Sequence, residues 1–332
     1  MIISRTPFRV SFFGGGTDYP GWFRDHGGGA VLSATIDKYC YISVRDLPPF
    51  FDHRFRLVYS IVENVTAIDE IRHPAARAVL GYLDVRRGLE IHHDGDLPAR
   101  SGIGSSSAFT VGLIAAIHAL EGRYRSKEAL AKEAIHVEQC MLRELVGVQD
   151  QISTAFGGFN HIVVSADGSY QVNPVILPPG RRQALQEHLL LVFTGVSRVA
   201  TGAAPSQIDS FERRTVELHT LRQMVDQAIA IMTTETASLE EFGRLLHESW
   251  IIKRTLSAHV SNAVVDEIYE AALRAGAIGG KLLGAGGGGF MLLFVRPGDR
   301  ARVIEALRGR ATVPVRFESS GSRIVLYQPD GL

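Results

Sequence analysis

The sequence predicts an α+β fold of two lobes with a cleft between them. The chain has 332 residues, more than the ~100–200 residues of a typical domain, which favours two lobes. Segments with strand character and segments with helical periodicity are partly segregated along the chain, and this pattern disfavours a doubly wound sheet, in which they alternate strictly. The turn at Pro178-Pro179-Gly180 is the best candidate boundary. We therefore expect an N-terminal lobe over 1–178 and a C-terminal lobe over 179–332.

Strands dominate the first hundred residues. Apolar runs bounded by turn residues predict strands at 9–13, 30–44, 56–60 and 89–93. Two glycine runs, at 14–16 and 27–29, predict tight loops because glycine tolerates a positive φ. From Ser105 onward the apolar residues recur every three or four positions, which predicts a long helix. A second helix is predicted over 127–145, and a hairpin over 160–164 and 170–172.

The C-terminal portion is predicted to contain both element types. The predicted strands cover 189–193, 290–295, 313–318 and 324–327. The predicted helices cover 211–232, 239–256, 262–275 and 299–307. We find no internal repeat and no low-complexity segment. Each lobe is therefore expected to combine helices with strands.

The composition excludes several classes of partner. Thirty-five Lys and Arg balance thirty-five Asp and Glu, so the chain has no overall field that would hold nucleic acid or an anionic membrane. Its longest apolar stretches, at 111–120 and 290–295, are far shorter than the ~18–20 residues that span a bilayer. Cys40 and Cys140 are too few for a disulfide framework and lie in no metal-binding spacing. With no signal-peptide pattern at the N-terminus, we expect a cytoplasmic protein, and its oligomeric state stays open, a homo-oligomer included.

The segment 102–108, Gly-Ile-Gly-Ser-Ser-Ser-Ala, comes directly before the first periodic helix. Its glycines allow the backbone to wrap around a ligand, and the free N–H groups at a helix start favour an anion. Three successive hydroxyls add hydrogen-bond donors and one ligand for a hard cation. A serine N-cap after a flexible turn would account for one serine and one glycine, but not for the whole set. The sequence therefore predicts a phosphate-binding loop.

Three common templates do not fit the glycine-rich segments. No lysine follows 102–108 as a Walker A loop requires, and Ala108 takes the final glycine position of a hydrolase nucleophile elbow. The segment 284–289 contains Gly-x-Gly-x-x-Gly, but a predicted strand follows it, whereas a dinucleotide-binding fold needs a helix there. Five glycines in six positions instead predict a loop that lets backbone approach another loop or a ligand.

Four charged residues are candidates for chemistry. Glu138 lies on the polar face of the second predicted helix, and Asp150 lies near the start of another short helix; a solvated side chain and a helix cap are the alternative interpretations. Arg9 and Asp18 flank the glycine turn at 14–16, which can bring both to one mouth, where Asp18 would accept hydrogen bonds from sugar hydroxyls. An ordinary surface ion pair is the alternative for these two residues.

The order of these segments resembles the GHMP kinase superfamily, which includes galactokinase, homoserine kinase, mevalonate kinase and phosphomevalonate kinase. Residues 7–19, Pro-Phe-Arg-Val-Ser-Phe-Phe-Gly-Gly-Gly-Thr-Asp-Tyr, are similar to the first family motif. The segment 102–108 is similar to the family's phosphate loop, and 284–289 to its third motif. The match runs from end to end and implies a two-lobed GHMP-kinase-like fold, with the active site in the cleft between the lobes and ATP as phosphate donor.

The resemblance also implies roles for individual residues. Asp150 would lie beside the acceptor hydroxyl, and Arg9 would stabilise that hydroxyl and the transferring charge. Ser106 and Glu138 would hold Mg²⁺. The implied ATP-phosphate-binding residues are Gly102, Ile103, Gly104, Ser105, Ser106 and Ser107. The implied substrate-binding residues are Asp18, Gly15, Gly16, Thr17, Gly286, Gly287, Arg198 and Lys253.

Two departures from the superfamily pattern concern the substrate and the entry to the phosphate loop. Residues 14–16 replace the Gly-Glu-His type run of hexose kinases, and Arg100 stands where the loop often has glycine. Together with 250–262 and 281–290, these departures resemble one branch, the D-glycero-D-manno-heptose 7-phosphate kinases. That resemblance implies phosphorylation of the C1 hydroxyl to the 1,7-bisphosphate, on the route to GDP-heptose for surface polysaccharide. Arg198, Lys253 and Arg254 are the candidates for binding the phosphate that such a substrate already carries.

Two alternatives stay open on the sequence. One is a free-hexose kinase of the same superfamily acting on fucose, mannose or galactose. The other is a non-catalytic sugar or nucleotide sensor on this fold, although such a protein has no need for both Glu138 and Asp150. It also stays open whether Asp150 acts as a base or only orients the hydroxyl, because an anomeric hydroxyl is more acidic than an ordinary alcohol.

Overall fold

The computed structural model describes residues 1–196 and 213–329, where twelve strands form two sheets and ten α-helices pack around them. The strands are β1 (Ile2–Phe13), β2 (Gly29–Asp46), β3 (Phe55–Val58), β4 (Val62–Val65), β5 (Leu89–Gly95), β6 (Phe159–Val164), β7 (Tyr170–Pro174), β8 (Leu189–Phe193), β9 (Ala277–Leu282), β10 (Phe290–Val295), β11 (Thr312–Pro314) and β12 (Arg323–Tyr327). The helices are α1 (Pro20–Phe23), α2 (Pro74–Tyr82), α3 (Ser105–Leu120), α4 (Lys127–Ile135), α5 (Gln149–Phe156), α6 (Pro179–His188), α7 (Thr215–Thr233), α8 (Leu239–Thr255), α9 (Ala263–Arg274) and α10 (Arg300–Ala306). None of these helices has the length and hydropathy needed to cross a membrane.

The first sheet has eight strands and depends on the length of β2. In the order β12-β1-β2-β5-β3-β4, β1 pairs with β2 from Ile2–Val44 to Phe13–Leu32. The other edge of β2 is divided, because its first residues pair with β6 and its last residues pair with β5. The connection between β1 and β2 therefore emerges at one end of the sheet and presents the glycine turn there.

The second sheet has the order β11-β8-β10-β9, and every neighbouring pair is antiparallel. All six residues of β10 are buried, as its continuous apolar sequence predicts for a central strand covered on both faces. Helices α8 and α9 pack against β9. Trp250 of α8 and Tyr269 of α9 meet edge to face, with ring centroids 6.2 Å apart, in the core beneath this sheet.

An aromatic cluster joins the two sheets into one core. Phe12 and Phe13, at the end of β1, meet Phe242 of α8 edge to face at centroid distances of 5.5 and 5.2 Å. Phe242 lies in turn 6.2 Å from Phe294 of β10. Each such pair contributes about 0.5–1.5 kcal/mol beyond the burial of its area. Because Phe13 directly precedes the glycine turn, these contacts fix the position of that turn relative to the second sheet.

The α+β prediction is confirmed, with errors where local patterns were weak. The helix predicted over 127–145 is too long: α4 ends at Ile135, a π-helical turn (His136–Met141) follows, and Arg143 adopts a positive φ of 55° that no helix can continue. Strand β9 was not predicted, because its glycines give it little strand propensity. Helices α2 and α6 were not predicted. Helix α6 begins at Pro179, where a turn was predicted, because proline is tolerated as a first helical residue.

The last strand of the chain, β12, belongs to the first sheet. Strand β12 pairs with β1, and Tyr327 lies opposite Ile2. The first sheet therefore takes strands from both sides of residue 178, and the division of the chain into 1–178 and 179–332 stays a prediction.

Candidate active site

The turn after β1 is held by a buried threonine. Thr17 Oγ1 lies 2.8 Å from the Gly14 carbonyl oxygen and 3.0 Å from that of Ala30, and it accepts a hydrogen bond from the Ala30 N–H at 3.1 Å. Its side chain is fully buried, so Thr17 stabilises the turn, whereas Gly15 and Gly16 line the cleft.

Asp18 follows the turn and is held by backbone groups from two directions. Its Oδ1 accepts a hydrogen bond from the Gly16 N–H at 3.1 Å, and its Oδ2 accepts one from the Gln149 N–H at 3.2 Å. The carboxylate is buried against the wall of the cleft, and this burial, together with the nearby charge of Asp150, raises the pKa of Asp18. Gly147 provides the space, because a Cβ atom there would lie 1.9 Å from Asp18 Oδ2.

Arg9 forms an ion pair with Asp150. Its Nε and a terminal nitrogen lie 2.8 and 2.6 Å from Asp150 Oδ1, and its other terminal nitrogen donates to the Gly102 carbonyl at 2.6 Å. The Arg9 side chain is 3% exposed and the Asp150 side chain 28%. Asp150 therefore faces the cleft from the first turn of α5, while Arg9 connects it to the loop before α3. The sequence predicted that Arg9 and Asp18 lie at the mouth of one site, and both residues line the cleft.

The loop before α3 has the features of an anion site. Gly104 caps the helix with a φ of 73°, and Ser105 Oγ accepts a hydrogen bond from the Arg100 N–H at 3.0 Å, which closes the loop. The Ile103 carbonyl accepts from the Arg9 N–H at 3.0 Å, so β1 supports the loop from below. The N–H groups that start α3 are thereby presented beside the Arg9 side chain, where a helix start favours an anion.

Glu138 lies beneath this loop on the π-helical turn. Its Oε2 accepts hydrogen bonds from Ser107 Oγ at 2.9 Å and from Gln151 Nε2. Its Oε1 is buried and has no hydrogen-bond partner among the described residues. Burial raises the pKa of Glu138 to about 7. The neighbouring Ser106 is exposed at the first turn of α3, and the serine that contacts Glu138 is Ser107.

The two glycine-rich segments meet backbone to backbone. The Phe290 N–H donates to the Ser101 carbonyl at 2.9 Å. A Cβ atom on Gly289 would lie 2.3 Å from that carbonyl oxygen, and one on Gly102 would lie 2.5 Å from the Leu283 carbonyl oxygen. Both glycines also have a positive φ. This close approach of two loops is what the glycine content of 284–289 predicted.

Only part of the glycine-rich segment 284–289 lines the cleft. Residues 284–285 line the cleft. Gly287 instead donates its N–H to the Val260 carbonyl at 3.1 Å and accepts from Asn262 Nδ2 at 3.0 Å, and Gly286 also packs against Val260. The structure therefore places Gly286 and Gly287 against the segment before α9.

Two lysines from the second sheet and its helices reach the cleft. Lys253 of α8 donates to the carbonyls of Leu282 and Gly284. Lys281 of β9 is 3% exposed and donates to the Phe12 carbonyl at 2.8 Å. Burial, reinforced by the nearby Arg9, lowers the pKa of Lys281 to about 7. Of the other two predicted cations, Arg254 pairs with Asp266 at 3.0 Å and does not line the cleft, and Arg198 lies outside the described residues.

These groups surround one cleft. It is lined by Arg9, Ser11, Gly15, Gly16, Asp18, Tyr19, Leu145, Val146, Gly147, Gln149, Asp150, Lys253, Lys281, Gly284 and Ala285. Three of these residues, Ser11, Gln149 and Lys281, were not predicted from the sequence to belong to the site. Lys281 stands out in the sequence only because it is a charged residue in an apolar, glycine-rich segment. No local pattern marks Ser11 or Gln149.

Replacing Gly147 by alanine is expected to destabilise the protein. The new Cβ would overlap Asp18 Oδ2, and overpacking of this kind costs about 1–3 kcal/mol. We expect urea denaturation to show a lower free energy of unfolding for Gly147→Ala. Gly81→Ala is the matched control, because no heavy atom lies within 4 Å of a Cβ at that helical position. Equal stability of wild type and Gly147→Ala would contradict the packing described.

Lys281 is expected to make the stability depend on pH. Its pKa falls from 10.5 to about 7 on folding. Between these pH values the unfolded chain binds the extra proton, so the free energy of unfolding rises as the pH increases. In Lys281→Met this rise should be smaller between pH about 7.5 and about 9.5, measured by urea denaturation. Lys132→Met, at a side chain that is 64% exposed, should keep the wild-type slope, and an unchanged slope in Lys281→Met would show that Lys281 is not buried.

Comparison with known proteins shows which family the chain resembles. The model of the GHMP kinases N terminal domain matches residues 65–158, and that of GHMP kinases C terminal matches residues 231–311. A D-glycero-alpha-D-manno-heptose 7-phosphate kinase of Campylobacter jejuni is 31% identical over 92% of this chain and 93% of its own length. A bifunctional fucokinase/GDP-fucose pyrophosphorylase of Arabidopsis thaliana is 26% identical over 89% of this chain, which spans 30% of that protein.

A solved structure agrees with the fold. The crystal structure of a D-glycero-D-manno-heptose 1-phosphate kinase from Bacteroides thetaiotaomicron has a TM-score of 0.79 and 22% identity, with 98% of each chain covered. GHMP kinases use ATP as phosphate donor, which agrees with a helix start that favours an anion beside a buried arginine and a partly buried carboxylate. With both family regions matched and one relative aligned along nearly its whole length, the chain belongs to the GHMP kinase family.

Proposed function

We propose that this GHMP-family sugar kinase transfers the γ-phosphoryl group of ATP to the C1 hydroxyl of D-glycero-D-manno-heptose 7-phosphate, giving the 1,7-bisphosphate. The proposal rests on the Arg9–Asp150 pair, which faces the cleft directly beside the phosphate loop. The Campylobacter jejuni relative supports the choice of sugar. We place the reaction in the cytoplasm, within the synthesis of GDP-heptose for surface polysaccharide.

Asp150 is the residue that would handle the acceptor hydroxyl. Arg9 occupies Oδ1, and Oδ2 makes no hydrogen bond to the described residues, so this oxygen is available to the substrate. It would orient the hydroxyl and accept its proton as the new O–P bond forms. Arg9 keeps the carboxylate in one orientation and places positive charge where negative charge develops.

Ser106 and Glu138 are the residues we propose for Mg²⁺. Glu138 offers a buried oxygen that lacks a partner in the described chain, and Ser106 offers an exposed hydroxyl at the helix start. Proteins commonly hold Mg²⁺ through one or two groups, with water and phosphates completing its shell. The described residues contain no cluster of three or more His, Cys, Asp or Glu suited to a metal, which agrees with such a site. The ion would neutralise charge on the phosphate oxygens.

The cations of the cleft suit a substrate that already carries a phosphate. Arg9, Lys253 and Lys281 line it together with the carboxylates Asp18 and Asp150. An anionic sugar would be attracted by the lysines, and we propose that Asp18 accepts hydrogen bonds from its hydroxyls. We propose Lys253 for the substrate phosphate, and Arg198 keeps the same proposed role from the sequence.

A free-hexose kinase is the second candidate. The Arabidopsis thaliana fucokinase/GDP-fucose pyrophosphorylase matches most of this chain, which favours fucose among the free sugars. Such a substrate would leave the lysines of the cleft without a phosphate to bind.

Replacing Asp150 by asparagine is expected to lower kcat by ~10²-fold or more, because loss of a general base commonly costs ~10²–10⁴-fold. The amide keeps the shape of the side chain, so we expect little change in ATP affinity in a binding titration. Asp69→Asn, at an exposed aspartate, is the control and should keep wild-type turnover. Near wild-type kcat in Asp150→Asn would remove Asp150 from the mechanism.

A screen of ADP release distinguishes the two candidate substrates. With Mg-ATP, we expect the highest kcat/KM for D-glycero-D-manno-heptose 7-phosphate, and much lower values for unphosphorylated heptose, fucose, mannose and galactose. The reason is that, among these sugars, only the phosphorylated one carries an anion for the lysines of the cleft to attract. Preference for a free hexose would overturn the heptose proposal. Sugar binding without any ADP release would overturn catalysis altogether.

A further inference from the structure

Two buried polar atoms in the wall of the cleft lack a protein partner. Ser11 Oγ and Gln149 Oε1 are inaccessible to solvent and have no hydrogen-bond partner among the described residues. Both side chains line the cleft, and Ser11 as a whole is 4% exposed. Buried polar atoms are nearly always paired in proteins, and an unpaired one costs free energy because it has lost its water partners. A ligand that pairs with them would recover this free energy.

Gly15 keeps the space between these two side chains open. A Cβ atom on Gly15 would lie 3.8 Å from Gln149 Nε2 and 3.9 Å from Ser11 Oγ, which are ordinary contact distances. Unlike Gly14 and Gly16, Gly15 does not have a positive φ. Neither backbone strain nor a clash therefore requires glycine at this position. Glycine here keeps the wall of the cleft beside Ser11 and Gln149 free of a further side chain.

This space lies next to the group that handles the acceptor hydroxyl. Gln149 and Asp150 are adjacent in the first turn of α5, so their Cα atoms are about 3.8 Å apart. The backbone N–H of Gln149 also holds Asp18 Oδ2 at 3.2 Å. The Gln149 backbone is therefore held against Asp18 and directly precedes Asp150, and the Gln149 side chain lines the same cleft as both carboxylates.

We propose that Ser11, Gly15 and Gln149 form a hydroxyl subsite for the substrate carbon next to the one that is phosphorylated. The proposal rests on the proposed function, under which this group is the C2 hydroxyl. A sugar hydroxyl has the complementary chemistry, because it can donate to Gln149 Oε1 and accept from the Ser11 hydroxyl, and a Cβ on Gly15 would contact both side chains. An analogue without this hydroxyl would leave both atoms unpaired, and sites of this kind reject such analogues strongly.

The test compares kcat/KM for heptose 7-phosphate and for its 2-deoxy analogue. Because a hydrogen bond of about 1.4 kcal/mol corresponds to about tenfold in affinity, we expect wild type to prefer the parent sugar by about tenfold or more. Ser11→Ala and Gln149→Met should each reduce this preference, mainly by raising KM for the parent sugar. Gln149→Glu retains an acceptor and should keep more of the preference than Gln149→Met.

Thermal unfolding without ligand separates this role from a structural one. Ser11→Ala removes an unpaired hydroxyl, so its Tm should equal or exceed that of wild type. Ser33→Ala is the matched control. Ser33 lies opposite Ser11 in the β1–β2 pairing, is also buried, and its Oγ is 2.8 Å from Ser153 Oγ. Its replacement should lower Tm and leave the preference for the parent sugar unchanged.

An unchanged preference in both Ser11→Ala and Gln149→Met would overturn the subsite, and so would a lower Tm of Ser11→Ala with the preference retained. If heptose 7-phosphate gives no turnover, the proposed function fails separately. The comparison is then made with the sugar that wild type does phosphorylate and with its analogue lacking the hydroxyl next to the reacting carbon. Loss of discrimination in the two variants would still support the subsite, and retained discrimination would exclude it.

Discussion

The arrangement of the cleft depends on Arg9. Its guanidinium lies within 2.6–2.8 Å of Asp150 Oδ1 and 2.6 Å from the Gly102 carbonyl oxygen, and its backbone N–H bonds to Ile103. One buried cation thus connects β1, the phosphate loop and α5, three elements that are distant in the sequence. A buried charge that loses its partner costs about 3–5 kcal/mol. The loop and the carboxylate are therefore held in one relative position, which is what phosphoryl transfer requires of a protein.

The electrostatics of the cleft follow from its burial. Burial raises the pKa of Asp18 and lowers that of Lys281 to about 7. Both shifts favour the neutral form, because surroundings of low dielectric constant penalise a charge. A phosphorylated sugar would bring negative charge toward Lys281 and would favour its protonated form. The charge state of the cleft is thus expected to change with its ligand.

The two sheets are joined by direct contacts. The Phe290 N–H bonds to the Ser101 carbonyl across the cleft, and Phe12 and Phe13 pack against Phe242. The first contact needs glycine on both sides, because a side chain would overlap the opposite backbone. Behind these contacts, the π-helical turn brings Glu138 under the phosphate loop. Rigid support of this kind favours a preformed site, in which little ordering remains when substrates bind.

The sequence alone predicted those features of the protein that depend on residues close together in the chain. Periodicity and turn glycines predicted the α+β class, which is confirmed, because these signals depend on neighbouring residues. The helix start at Ser105 predicted a phosphate loop at 102–108, and that assignment stays a prediction. Only the tertiary structure decided that Arg9 pairs with Asp150, 141 positions away. It also brought Lys281 to the cleft on a strand of weak propensity, and it left Ser11 Oγ and Gln149 Oε1 without a hydrogen-bond partner among the described residues. Burial and pairing of polar groups depend on which distant elements pack together, and no local pattern records that.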